Sequence, residues 1–346
     1  MRAATFHAPG DLRVGDIDEP VTGARELKLR MHATATCGTD AKIYKHGHPR
    51  LEPPQVIGHE LAGEVVEVGT EVTGWSVGDR VQVIAAVPCG DCWACTSGSM
   101  TVCPNQTSMG YQYPGGFAEE MIVPEQVLKV DGVNRIPDGL SYAEASVTEP
   151  LACALNAQEL VHVGEGDTVV VMGAGPIGCL HVRLARSFGA TKVFLVDVNA
   201  GRLQLSADRV HPDAAIDSSS QDPVEAIRAL TDGRGPSVVI TAAPAGSAQE
   251  QAIEMAAPQG RISFFGGLPK DDPYIRCDSN LVHYRELMLM GANGSSPDHN
   301  RRALDLIATG AVPVDDLITH RLPLDEVQAA IEAVMSGEAI KVVVEP

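Results

Sequence analysis

After about residue 165, short apolar runs alternate with helical segments, and this alternation restricts the fold more than any other part of the sequence. The runs TVVVMGAG, KVFLVDVN, AAIDSS, SVVITAA and RISFFGG have the character of strands. Strands that alternate with helices form a parallel sheet covered by helices on both faces. We therefore predict a doubly wound α/β domain and place it at residues 151–292.

A glycine-rich turn follows the first of these strands. Gly173, Gly175 and Gly178 stand directly after TVVVM and open the helical run PIGCLHVRLARSFGA. Glycines at this spacing allow a tight turn and let a pyrophosphate approach the amides at the helix N-terminus. The spacing alone is a weak signal, but its position between a strand and a helix predicts a dinucleotide site that includes Pro176 and Ile177.

The second apolar strand of this domain ends at Asp197. A carboxylate there can accept hydrogen bonds from the adenosine ribose hydroxyls of NAD, and it repels the 2′-phosphate of NADP. A plain strand-end cap is the alternative, and Arg202 nearby leaves room for the use of both cofactors. We predict NAD as the cofactor.

The region before this domain has a different residue pattern. Between about residues 25 and 130, β-type runs such as ELKLRMHATA and HELAGEVVEVG are separated by Gly, Pro and Asp, with little helical periodicity. This pattern predicts a β-rich first domain over residues 1–150. The length of 346 residues suits two domains that each bury a core.

The charge balance restricts the partners. The chain has 26 Lys and Arg against 45 Asp and Glu, a formal net charge of -19. This balance disfavours nucleic acids and anionic membranes as partners. No apolar stretch approaches the roughly 18 residues that span a bilayer, and the N-terminal residues lack an apolar signal core. We expect a cytoplasmic protein with a small-molecule substrate.

Four of the eight cysteines lie in the segment CGDCWACTSGSMTVC. The spacing of Cys89, Cys92, Cys95 and Cys103 lets one loop surround a tetrahedral zinc ion. Two disulfides are the alternative, which the absence of an export signal disfavours. Four thiolates leave no open coordination position, so we predict a structural zinc.

A second set of candidate ligands is dispersed along the chain. It comprises Cys37 in CGTD, His59 and Glu60 in GHE, and Glu149 in TEP. Mixed thiolate, imidazole and carboxylate ligands are typical of a catalytic zinc with an open position. Taken singly, each residue has a plainer interpretation: a small buried thiol, a loop histidine, a solvated charge or a helix cap.

The order of CGTD, GHE, the four-cysteine loop, EPLA, GAGPIG and VDVN resembles the zinc-containing medium-chain dehydrogenases, and among them most closely the polyol dehydrogenases. The resemblance covers nearly the whole chain. It implies a GroES-like catalytic domain, completed by residues 293–346, beside a Rossmann cofactor domain. It also implies a homotetramer or homodimer.

The resemblance assigns roles to the dispersed residues. Cys37 and His59 become ligands of a catalytic zinc, and the third ligand is either Glu60 or Glu149. The zinc would act on the hydroxyl of a polyol or sugar-like substrate, and hydride would pass to NAD. Thr39 resembles the hydroxyl that begins the proton relay. Lys42 stands where relatives commonly carry a histidine, so His46, His48 or water would complete the outer end of the relay.

Three further residues fall where relatives contact the nicotinamide: Thr241, Phe265 and Gly266. Their alternative role is in ordinary turns at strand ends. Two other functions also remain open for the chain. One is an L-threonine 3-dehydrogenase, and the other is a zinc- and NAD-binding sensor without turnover.

Overall fold

The computed structural model describes residues 1–346, which divide into two compact units. The first unit comprises Met1–Ala152 and Gly294–Pro346, and the second comprises Cys153–Asn293. The boundaries expected from the sequence, 150/151 and 292/293, lie within two residues of these. The C-terminal segment therefore belongs to the first unit and not to the parallel sheet.

The chain forms eighteen strands and twelve α-helices. The strands are β1 (Arg2–Ala8), β2 (Asp11–Asp16), β3 (Leu27–Ala35), β4 (Gln55–Val56), β5 (Glu60–Val68), β6 (Arg80–Val83), β7 (Ala86–Val87), β8 (Thr107–Ser108), β9 (Glu120–Val123), β10 (Val133–Arg135), β11 (Thr168–Met172), β12 (Lys192–Asp197), β13 (Ala214–Asp217), β14 (Val238–Thr241), β15 (Arg261–Phe264), β16 (Met288–Gly291), β17 (Ile318–Pro323) and β18 (Lys341–Glu345). The helices are α1 (Gly38–His46), α2 (Trp93–Thr96), α3 (Glu125–Lys129), α4 (Tyr142–Ser146), α5 (Thr148–Leu160), α6 (Pro176–Ser187), α7 (Ala200–Val210), α8 (Pro223–Leu230), α9 (Gly246–Met255), α10 (Ser279–Arg285), α11 (Pro297–Ala308) and α12 (Val327–Ser336).

The first unit is built on a seven-stranded sheet in the order β10-β6-β5-β3-β18-β17, with β9 also paired to β3. A smaller sheet, β2-β1-β4, lies in the same unit. Strand β18 enters the large sheet antiparallel to β3, with Val343 opposite Ala35. The last strand of the chain thus pairs with β3, the first strand of the large sheet in sequence order.

Helix α1 corrects the sequence analysis, which found little helical periodicity in this region. The helix begins after Cys37, and Asp40 in its first turn accepts a hydrogen bond from the Cys37 backbone N–H at 2.8 Å. Its apolar side, with Ala41 and Ile43, is buried in the core that α12 helps to form. With so few apolar residues in nine positions, the helix is stabilised mainly by this packing.

The second unit contains a six-stranded sheet in the order β13-β12-β11-β14-β15-β16, and every neighbouring pair is parallel. Numbered within the unit, this order is 3-2-1-4-5-6, the doubly wound arrangement of dinucleotide-binding domains. The expected fold class is confirmed. No helix of the structure has both the length and the apolar character needed to cross a membrane.

Candidate active site and metal centres

Two neighbouring strands bring Cys37 and His59 together. Strand β3 ends two residues before Cys37, and β5 begins immediately after His59. The two strands are antiparallel with Ala35 opposite Glu60, so both residues lie at the same end of the pair. Cys37 follows the end of β3 at the same edge of the sheet where His59 precedes the start of β5.

Asp40 connects these two residues. Its Oδ2 accepts the hydrogen bond from the Cys37 backbone, and its Oδ1 lies 3.2 Å from His59 Nδ1. Burial lowers the pKa of His59, but the Asp40 carboxylate and the Cys37 thiol outweigh burial and hold that pKa well above its usual value. Because Asp40 is itself fully buried, it fixes the imidazole ring in one orientation.

Glu60 has two sets of neighbours. The candidate ligand atoms of Cys37, His59 and Glu60 all lie within 4.8 Å of one another. The Glu60 oxygens also accept hydrogen bonds from Lys341 Nζ at 2.6 and 2.8 Å. Burial raises the pKa of Glu60 to about 7, although the Lys341 charge lowers it.

Glu149 lies in the first turn of α5 and is buried. Its charge raises the pKa of Glu60 and that of Tyr111, which places it in the same electrostatic neighbourhood. Only Glu60 has an oxygen within 4.8 Å of the ligand atoms of Cys37 and His59. Both glutamates predicted from the sequence therefore lie near Cys37 and His59, and Glu60 is the nearer of the two.

The relay candidates lie on and after α1. Thr39 is half-buried in the first turn of the helix, two residues after Cys37. Lys42 is exposed on the same helix. His48, which follows the helix, packs edge-on against Tyr111 with a ring-centroid distance of 4.8 Å.

Sequence reasoning gave no role to three residues of this site: Asp40, Lys341 and Tyr111. Asp40 could have been found, since it lies inside CGTD and histidine ligands commonly have a carboxylate as hydrogen-bond partner. Lys341 gave a weaker signal as a charge beside the apolar run VVV. Tyr111 gave none, because only the course of the loop brings it to His59.

The four-cysteine segment forms a compact cluster of sulfur atoms. Its members lie 3.5 to 3.9 Å apart in the pairs Cys92–Cys95, Cys89–Cys103, Cys92–Cys103 and Cys89–Cys95. Sulfur atoms bound to one tetrahedral zinc at about 2.3 Å are separated by roughly 3.8 Å. None of the eight cysteines forms a disulfide, so the disulfide alternative is wrong. The donor set and its spacing fit one zinc ion.

The protein backbone supports this cluster. The N–H groups of Cys89 and Gly90 lie 3.4 Å from the sulfurs of Cys103 and Cys95. A hydrogen bond from the Cys95 backbone is the largest of the effects that lower the pKa of Cys92 to about 7, whereas burial raises that of Cys95 to about 12. N–H groups that point at sulfur favour thiolate ligands.

In the second unit, the glycine turn joins β11 to α6. Gly173 has φ 118°, and Gly175 is the N-cap residue of α6, with Pro176 and then Ile177 in its first turn. A Cβ atom on Gly178 would lie 1.8 Å from the carbonyl oxygen of Gly173. The turn is therefore as tight as the sequence predicted, and its third glycine allows the helix to approach the strand.

Asp197 lies beside this turn at the end of β12. Its two oxygens accept hydrogen bonds from the backbone N–H groups of Ala174 and Asn199, each at 2.7 Å. The Asn199 side chain caps α7 by accepting from the Arg202 N–H. The carboxylate thus serves as a strand-end anchor, and its position at the glycine turn also suits ribose recognition.

Thr241, Phe265 and Gly266 lie at or just beyond the ends of β14 and β15. The Gly266 N–H donates to the Thr241 carbonyl oxygen at 2.7 Å. The Phe265 ring packs edge-on against His181 at 4.9 Å, and burial lowers the pKa of that histidine to about 3. All cofactor candidates therefore gather at the carboxyl edge of the parallel sheet, where such sheets bind ligands.

Comparison with known proteins agrees with this geometry. The model of the alcohol dehydrogenase GroES-like domain matches residues 23–132, and that of the zinc-binding dehydrogenases matches residues 176–309. A sorbitol dehydrogenase from Halalkalibacterium halodurans is 34% identical over 344 residues, which cover 99% of this chain and 98% of the relative. An L-threonine 3-dehydrogenase from Pyrococcus furiosus is 34% identical over 336 residues, 95% of this chain and 93% of the relative.

Among solved structures, a zinc-binding dehydrogenase of Sinorhizobium meliloti bound to NADP superimposes with a TM-score of 0.92. It is 33% identical, and the match covers 100% of this chain and 99% of the other. The protein is a zinc-dependent oxidoreductase of the alcohol dehydrogenase type. It belongs to the zinc-containing medium-chain alcohol and polyol dehydrogenase family.

Proposed function

We propose that the protein oxidises a secondary alcohol group of a polyol or sugar-like molecule and transfers the hydride to NAD. The observation that carries the proposal is the convergence of Cys37, His59 and Glu60, whose ligand atoms lie within 4.8 Å of one another. A thiolate, an imidazole and a carboxylate are the donors of catalytic zinc sites that keep an open position. The fully buried Asp40 beside His59 supports this assignment because it orients the imidazole.

In this proposal Cys37 and His59 hold the catalytic zinc with Glu60 or Glu149, and the four-cysteine cluster holds a structural one. When bound, the catalytic zinc supplies Lewis acidity that favours loss of the alcohol proton. Thr39, in the first turn of α1, accepts that proton and passes it outward. With Lys42 exposed on α1, the half-buried His48 or water completes the path.

The residues of the second unit bind the cofactor. The glycine turn lets the pyrophosphate approach the N-terminus of α6, and Asp197 accepts hydrogen bonds from the ribose hydroxyls. Thr241, Phe265 and Gly266 contact the nicotinamide from the ends of β14 and β15. A carboxylate at position 197 favours NAD over NADP, because it repels a 2′-phosphate.

A second candidate function is the oxidation of L-threonine. It is favoured by the 34% identity to an L-threonine 3-dehydrogenase, equal to the identity to the sorbitol dehydrogenase. Both reactions oxidise a secondary alcohol and use the same zinc chemistry. They differ in the charges of the substrate, so a substrate panel separates them.

The test combines metal content with activity. Zinc per chain is measured on the purified protein, and NADH or NADPH formation is followed with polyols, cyclitols, diols and L-threonine. We expect two zinc ions per chain and reduction of NAD with the polyol or diol group. Two zinc ions without turnover on any substrate would favour the sensor function instead.

The Cys37→Ser variant tests the catalytic site. We expect it to contain one zinc ion, to lose nearly all turnover and to bind NADH as the unmodified protein does. Cys277→Ser is the matched control, because Cys277 is an exposed free thiol. Full activity of Cys37→Ser with only one zinc bound would overturn the zinc mechanism.

A further inference from the structure

The loop that carries Tyr111 lies against the segment that leads into His59. The Gly115 N–H donates to the Val56 carbonyl oxygen at 2.8 Å, and the Gly116 N–H donates to that of Gly58 at 3.0 Å. A Cβ atom on Gly115 would lie 2.2 Å from the Gly58 oxygen. The two backbones approach so closely that only glycine fits, so the loop has a fixed position relative to His59.

The Tyr111 side chain is held beside the candidate zinc ligands. Its ring centroid lies 6.3 Å from that of His59 and 4.8 Å from that of His48, which meets it edge-on. Gln55 Nε2 donates to the Tyr111 carbonyl oxygen at 2.6 Å and fixes the backbone. The ring is thus positioned by contacts on both its backbone and its faces.

The hydroxyl of Tyr111 remains available to a ligand. The ring is half-buried, and its Oη makes no hydrogen bond within the protein. The Tyr111 ring lies 6.3 Å from the His59 ring, so this hydroxyl belongs to the surroundings of the candidate zinc ligands. A neutral donor and acceptor in such a place suits another neutral hydroxyl.

We propose that Tyr111 Oη binds a second hydroxyl of the substrate, on the carbon next to the one that is oxidised. The enzyme then prefers vicinal diols and polyols to simple secondary alcohols. This inference depends on the proposed dehydrogenase function. Its physical basis is that a site built to bind a substrate hydroxyl rejects an analogue without one, since its own polar group is then left without a partner.

The chain offers a matched control in the same loop. Tyr113 lies two residues further on, and its ring packs against the core cluster that contains Leu27, Val65 and Met109. Tyr111 packs instead against the cluster that contains Ala41 and Ile57. Tyr113→Phe therefore removes a hydroxyl from the same loop, from a ring that packs against a different core cluster.

The experiment compares Tyr111→Phe and Tyr113→Phe as full-length, zinc-loaded enzymes. Pairs of substrates share one carbon skeleton, such as butane-2,3-diol with butan-2-ol, and longer pairs extend the series to six carbons. We expect Tyr111→Phe to lower kcat/KM for the diol about five- to tenfold, the effect of one hydrogen bond between neutral groups. In the same variant, kcat/KM for the simple alcohol should change by less than about twofold. Tyr113→Phe should change kcat/KM for neither substrate.

Binding without reaction gives a second readout. Titration calorimetry measures the dissociation constant of each alcohol in the presence of NADH, which cannot accept a hydride. Tyr111→Phe should raise the dissociation constant of the diol by a similar factor and leave that of the simple alcohol unchanged. An unchanged diol preference in Tyr111→Phe would overturn this inference alone. Absence of turnover with every pair would overturn the proposed function and this inference with it.

Discussion

Asp40 connects the two candidate zinc ligands Cys37 and His59 through one buried side chain. One of its oxygens holds the Cys37 backbone and the other lies beside His59, so both candidate ligands are fixed through a single carboxylate. Its full burial excludes water as a competitor for either contact. At this scale the local motif CGTD already contains a candidate ligand and the carboxylate that lies beside the other candidate.

We predict that Asp40→Asn lowers the affinity of the catalytic zinc about 10- to 100-fold, the usual effect of removing a carboxylate behind a histidine ligand. Competition with a chelator, followed by zinc content and residual activity, measures the change. Asp11→Asn is the control, because Asp11 pairs with Arg13 on strand β2, outside the candidate site. Equal zinc retention in both variants would show that Asp40 does not orient His59.

Two glycines at the start of α6 are required for different reasons. Gly178 has no room for a Cβ atom, whereas Gly175 has φ -73° and open space within 4 Å of the point where a Cβ atom would stand. We predict that Gly178→Ala lowers the melting temperature because strand and helix must separate. Gly175→Ala should leave melting unchanged and weaken NADH binding, because its methyl group occupies the space of the pyrophosphate.

Thermal unfolding and NADH fluorescence titration distinguish the two variants. The assignment of the glycine turn to the cofactor would be wrong if Gly175→Ala bound NADH with unchanged affinity. A normal melting temperature for Gly178→Ala would show that the turn relaxes without cost.

The four-cysteine segment is the element that we expect to depend most on a bound metal. It contains only a four-residue helix and a short 3₁₀ turn, so its own hydrogen bonds give it little stability. We predict that Cys95→Ser lowers the melting temperature and the zinc content by one ion per chain, and reduces activity only as a consequence. Differential scanning calorimetry with zinc analysis checks this, with Cys277→Ser as control. Lost turnover with unchanged melting would reverse the structural assignment.

At the scale of the whole molecule, Lys341 joins the end of the chain to its first half. Its Nζ donates to both Glu60 oxygens and to the Thr36 carbonyl oxygen at 2.9 Å, in a fully buried position. The pair lies 281 residues apart in sequence. The ion pair therefore joins β18 to Glu60 at the start of β5, across the intervening strand β3.

We predict that Lys341→Met destabilises the protein by about 3 kcal/mol, because it leaves a buried carboxylate without its partner. The double variant Glu60→Gln with Lys341→Met should regain part of that loss. Arg25→Met is the control, since Arg25 pairs with the exposed Glu71 and Glu125 and its loss should cost at most about 1 kcal/mol. Urea unfolding measures all three, and a double variant no more stable than Lys341→Met would show that the loss does not come from the unpaired carboxylate.

The parallel sheet, the glycine turn and the four-cysteine cluster could be predicted from the sequence, because each depends on residues that are close in the chain. The alternation of apolar runs indicated every strand from β11 to β15, and the cysteine spacing brought the four sulfurs to within 3.9 Å of their neighbours. Local spacing is sufficient where a loop or a strand-turn-helix unit forms the whole site.

Tertiary structure alone decided how the dispersed residues meet. The register of β3 against β5 places Cys37 beside His59, and β18 brings Lys341 to Glu60. The backbone contact at Gly58 brings Tyr111 to the same place. Helix α1 was missed for the same reason, since its stability comes from α12 and not from its own periodicity. These contacts join segments distant in sequence, and their geometry is set by the packing of the complete sheet.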